Sequence, residues 1–150
     1  MTTEQYALLF RRELHKVIDE LNQYENDAAI WIVRGDIKNS AGHLCQHLIG
    51  NLKTFIGREL GGLPYERNRD AEFEQRLFER PDLILLLADT ESIIEESLRK
   101  LSPEQLTGPY PPVITLTEDQ TVDFVLTHLL AHLNYHLGQI NYHRRLIADV

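Results

Sequence analysis

The sequence predicts an all-α chain folded as a four-helix bundle with long crossover connections, in one domain covering residues 1–150. Four long segments repeat apolar residues at three- and four-residue spacing, the signature of a helix with one buried face. The segments between them are polar or rich in proline and glycine. A length of 150 residues is about one domain's worth and can bury a core without disulfides.

The first helix is expected over residues 3–24, where Tyr6, Leu9, Phe10, Leu14, Val17, Ile18 and Leu21 share one face and Thr2 or Thr3 supplies the N-cap. Residues 26–39 lose this pattern. Ile30, Trp31, Ile32 and Val33 form a short apolar run that reads as a locally extended connection, with Trp31 packed on the bundle.

Ser40 is placed to cap a second helix reaching about residue 60, with Leu44, Leu48, Leu52 and Phe55 on one side and Gly61-Gly62 as its stop. Residues 63–80 form a polar crossover with at most a short helix around residues 71–78. Pro81 then opens a third helix to about Leu101, through Leu83, Ile84, Leu87, Ile94 and Leu98, with Glu91, Glu95 and Glu96 on a solvated face. Pro103, Gly108, Pro109, Pro111 and Pro112 exclude regular helix from the next stretch, and residues 113–116 read as extended or packed over the bundle end. Thr117 and Gln120 have the spacing of a capping box for the fourth and longest helix, residues 118–148.

Charge narrows the function classes. The 23 acidic residues outnumber the 15 Lys and Arg, giving a formal charge of -8, and no basic cluster offsets that field locally. Nucleic acid is not an expected partner. The longest apolar run, residues 83–88, falls far short of the roughly 20 residues that span a bilayer, so no membrane span is expected. A single cysteine, Cys45, and charged residues Glu4, Arg11, Arg12 and Glu13 near the start fit a reducing cytoplasm.

Histidine carries the strongest chemical signal. Of seven, six fall in two helices: His43 and His47 in the second, and His128, His132, His136 and His143 in the fourth. Four-residue spacing stacks His132 and His136 on one helix face, so both imidazoles can reach one ion. On a helical wheel His136 sits in the apolar stripe and His132 at its edge, while His128 turns toward water. His47 lies beside Leu44 and Leu48, which makes it a better third ligand than His43. Three imidazoles suit a divalent zinc, nickel, iron or manganese ion and leave a coordination position open, as in catalytic rather than structural sites. The competing reading is that these are hydrogen-bonded core histidines. His143 also turns inward, toward a core hydrogen bond. Gly138 could allow close helix approach, and Gln139 could hydrogen-bond across the bundle or orient a ligand histidine. Cys45 projects away from His47 and reads as an inert core thiol. His132-Leu133-Asn134-Tyr135-His136 lacks the glutamate of an HExxH protease.

The run His132-Leu133-Asn134-Tyr135-His136-Leu137-Gly138-Gln139-Ile140, together with His47-Leu48-Ile49-Gly50-Asn51-Leu52, resembles the DinB/YfiT-like superfamily of metalloenzymes over nearly the whole chain. The resemblance implies an up-down-down-up bundle and a metal triad of His47, His132 and His136. Many relatives read His-His-Arg-Gly-Gln around the last ligand, where this chain has Tyr135 and Leu137 in place of the flanking His and Arg. Relatives include thiol-dependent S-transferases and hydrolases, and several are homodimers. The resemblance therefore implies a small-molecule substrate, a low-molecular-weight thiol cofactor and a homodimer. Metal-dependent hydrolysis and a non-catalytic, stress-related metal-binding bundle are the alternatives.

Overall fold

The computed structural model describes residues 1–148, so the last two residues of the expected 1–150 domain lie outside the described residues. It is mostly helical, with no strand among the described residues. The helices are α1 (Thr3–Gln23), α2 (Ala41–Leu52), α3 (Arg69–Glu74), α4 (Arg80–Arg99), α5 (Pro103–Leu106) and α6 (Val122–Ala148). A 3-10 turn, Asp27–Trp31, precedes α2, and a π-helical segment, Lys53–Arg58, follows it directly. No described helix is long and apolar enough to cross a membrane.

α1 begins as its sequence dictates. The Thr2 hydroxyl accepts the Gln5 N–H at 3.2 Å, and the Gln5 carboxamide accepts the Thr2 N–H at 2.8 Å, a reciprocal pair that satisfies two donors otherwise orphaned at a helix start. Its apolar face, Tyr6, Phe10, Leu14, Val17 and Leu21, is buried against α4 and α6. α2 packs on the same two helices and also on α3 and the 3-10 turn, so nearly every face of it is buried. Trp31 lies against α2 at Gly42, where a Cβ would come within 2.6 Å of the indole ring.

Polar cross-links fix the register of α1 against α6. Asn134 donates to Glu13 at 2.7 Å, and seven residues on in both helices Asn141 donates to Glu20 at 2.6 Å. Arg144 closes the second pair at 2.5 Å. Near the start of α6, the Tyr6 hydroxyl meets Thr127 Oγ1 at 2.7 Å. Slippage along the helix axis would strand two buried carboxylates, which is costly.

Several expected boundaries move. The helix that Ser40 caps through the His43 N–H does not run uniformly to residue 60. After Leu52 its carbonyls bond five residues ahead, as from Glu59 N–H to Thr54 and from Gly61 N–H to Ile56. Residues 27–31 form the 3-10 turn instead of an extended run, because Asn26 caps Ala29 at 2.9 Å. The crossover helix is Arg69–Glu74, set earlier than residues 71–78 by its Asn68 cap. Helix α4 starts one residue before Pro81.

The expected capping box of Thr117 and Gln120 is absent. Asp119 adopts a positive φ of 54°, which breaks the helix there, and α6 starts at Val122. The Gln120 side chain instead pins residues 114–116, accepting the Leu116 N–H at 2.9 Å and donating to the Ile114 carbonyl.

Phe10 is fully buried in the core that α1 shares with α4 and α6. Phe10→Ala is expected to lower unfolding stability by about 3–5 kcal/mol, read as a shifted urea midpoint with an unchanged slope.

Candidate metal centre

The α2–α6 packing brings His47, His132 and His136 together. His47 Nε2 lies 3.2 Å from His132 Nε2, and His136 Nε2 lies 3.1 Å from the same atom. The three rings meet edge to face, with centroids 4.5–5.2 Å apart. A tetrahedral ion with metal–nitrogen bonds near 2.0–2.1 Å holds its nitrogens about 3.3 Å apart, so this spacing fits a shared cation. His47 is 5% exposed, whereas His132 and His136 at the helix edge are half-buried.

Tautomers strengthen the fit. The Nδ1 of His47 faces the Glu72 carboxylate at 3.2 Å, and the Nδ1 of His136 faces the Gln139 carbonyl oxygen at 2.7 Å. With acceptors behind them, both rings carry their proton on Nδ1 and turn an Nε2 lone pair inward. His132 Nε2–H can satisfy only one such lone pair well. A cation satisfies all three nitrogens, and the donor set matches its chemistry.

Glu72 was not identifiable in the sequence, where it falls in the polar crossover. It is buried on α3, and Arg67 grips both its oxygens, at 2.9 Å and 3.0 Å. Arg67 Nη2 also lies 3.4 Å from His47 Nδ1, but the carboxylate is the acceptor that an Nδ1–H can use. Gln46 ties α3 to α2 by donating to the Glu72 and Gln75 carbonyls and accepting the Leu77 N–H. Gly50 makes room, since a Cβ there would sit 1.8 Å from Glu72 Oε2. Phe73, the next residue of α3, lies against the His47 ring at 4.7 Å between centroids.

The remaining candidates separate as follows. Gln139 bonds the His136 ring on its own helix and not across the bundle. His143 is a core residue, held by the Tyr24 hydroxyl and the Ile32 carbonyl, each at 2.7 Å. His43 leans edge-on against Trp31 and bonds Ser40. His128 is exposed and stacks beside His132. Cys45 is buried, and burial pushes its thiol up to about 12, far from reactivity. Gly138 permits no close helix approach: nothing lies within 4 Å of the position a Cβ would take. It borders an open groove with Glu13 and Asn134.

Burial opposes charge on His132 and His136. His132 is lowered to about 4 by burial and by the neighbouring His136, His47 and His128. His136 is lowered by burial, which outweighs the Gln139 hydrogen bond. Burial alone would raise Glu72, but hydrogen bonds from His47 and Arg67 hold it below the usual carboxylate range.

Fold and site together define an all-helical protein with a three-histidine group able to hold a metal ion. The chain belongs to the family described as a protein of unknown function, DUF1572, whose model matches residues 4–150. Among solved structures it is similar to one described as a conserved protein from Enterococcus faecalis. The two share 19% identity with a TM-score of 0.78, over 100% of this chain and 99% of that one, a likeness that bears on the fold alone. No curated protein matches the chain.

The His132 shift gives a pH signature for the metal-free protein. Between its ordinary value of 6.5 and about 4, the unfolded ring binds a proton that the folded ring refuses, so stability is lost as pH falls through that window. Urea midpoints measured from pH 7 to pH 4 should fall, and His132→Gln should flatten the decline.

Proposed function

We propose that this protein is a metal-dependent enzyme of DinB/YfiT-like type, an up-down-down-up four-helix bundle whose His47, His132 and His136 hold one divalent ion. Its reaction is the attack of a low-molecular-weight thiol on a small electrophile. The single observation that carries the metal reading is the convergence of three Nε2 atoms, two of them with acceptors behind the ring.

Each residue near the centre has a definable task. Glu72 and Gln139 hold the protons of His47 and His136 on Nδ1 and orient the rings. Arg67 keeps Glu72 ionised and immobile. Phe73 and Tyr135, against His47 and His136, give the centre apolar walls. A bound divalent ion favours the deprotonated form of a coordinated thiol.

The thiol reading draws support from the absence, among the described residues, of a free cysteine or carboxylate nucleophile at the centre. Cys45 is buried and held protonated, and both Glu72 oxygens are occupied by Arg67 and His47. A nucleophile supplied from outside the chain resolves that absence.

Protein purified without chelators should carry about one ion per chain, and His47→Ala and His136→Ala should each remove most of it. Undiminished metal in both variants would refute the triad. Thiol consumption should accompany loss of a chlorinated or epoxide electrophile. Turnover that proceeds equally without thiol would favour hydrolysis instead.

A further inference from the structure

Two of the three histidines have an acceptor behind the ring, and His132 does not. Its Nδ1 is buried and has no hydrogen-bond partner among the described residues. His43 Nε2, in the first turn of α2 beside Trp31, shares that condition, and so do Asn51 Oδ1 and Thr54 Oγ1 on α2 and its π-helical continuation, in residues only 7% and 4% exposed. Asn51 and Thr54 lie one and two turns beyond His47 on the same helix face, and His47 itself touches His132 at 3.2 Å. Leu44, one turn before His47, lines a groove with Gln139 and His143, whereas His47 meets His136 and His132, so α2 runs antiparallel to α6 and Asn51, one turn further on, lies toward His132 and away from His136. Unsatisfied buried polar atoms are uncommon in folded proteins and call for a physical reason.

We infer that Asn51 is the positioning residue for His132, taking up its Nδ1–H when a metal occupies the centre. This inference rests on the metal reading given above. Without metal, the lone pairs of His47 and His136 favour an Nε2–H on His132, which leaves its Nδ1 needing a donor. Metal ligation through Nε2 moves the proton to Nδ1, which then needs an acceptor. A carboxamide meets both needs, donating through Nδ2 and accepting through Oδ1. Leucine, of similar size, meets neither. With Asn51 in this role, each of the three imidazoles has its own oxygen acceptor: Glu72, Gln139 and Asn51.

The test is zinc affinity, measured by chelator competition on the full chain, for wild type, Asn51→Leu and Asn51→Asp. Asn51→Leu should bind zinc about 10–100-fold more weakly. Asn51→Asp keeps an acceptor and should stay within about threefold of wild type. A second reading comes from nitrogen-15 NMR of the imidazoles, which works on wild type alone. The zinc-loaded protein should show His132 protonated at Nδ1, with a slowly exchanging proton that disappears in Asn51→Leu. Wild type that binds no zinc would defeat the metal reading itself. Wild type that binds zinc, with Asn51→Leu equally tight or with a freely exchanging His132 proton in wild type, would overturn the role of Asn51 alone.

Discussion

Everything at this centre depends on a contact that is unfavourable unless something is placed within it: the imidazole nitrogens of His47 and His136 approaching that of His132 to 3.1–3.2 Å, with all three within 4.8 Å of one another. Neutral histidine offers one donor and one acceptor, so a cluster facing inward through the same atom cannot satisfy itself. The fold nevertheless enforces the approach. α2 is buried on nearly every side, and α6 is locked to α1 by the paired carboxamide–carboxylate bonds at Glu13 and Glu20. Neither helix can slide to relieve the crowding without breaking buried polar contacts.

The crossover between α2 and α4 builds the layer behind the histidines. It delivers Glu72 and Arg67 as a buried ion pair, an arrangement whose desolvation often cancels its Coulombic gain. Stability alone is therefore a poor reason for it. Orientation of His47 is a better one, because the carboxylate fixes both the tautomer and the ring plane. Gly50 follows from the same requirement, since any side chain there would displace the carboxylate.

Helical character was legible in the sequence wherever one face met the core, as in α1 and α4, because burial on one side leaves a period. α6 announced His132 and His136 by four-residue spacing, and the structure brings His47, not His43, to them. Boundaries were less legible where tertiary contacts decide them. Thr117 and Gln120 have the spacing of a cap, yet Gln120 is drawn to the backbone of residues 114–116, and the positive φ of Asp119 ends the pattern. Gly138 faces open space on α6, so its presence reflects no helix contact. Glu72 left no trace at all, because nothing in a polar segment relates it to a histidine 25 positions earlier. The Asn68 cap and acidic first turn of α3 were the only local signs that this segment folds into a helix.

The most direct measurement is X-ray absorption at the metal edge on protein isolated without chelators. The expected spectrum has three imidazole nitrogens at about 2.0–2.2 Å with one or two further light-atom ligands. A first shell lacking imidazole scattering, or containing cysteine sulfur in place of the histidines, would contradict the centre described for His47, His132 and His136.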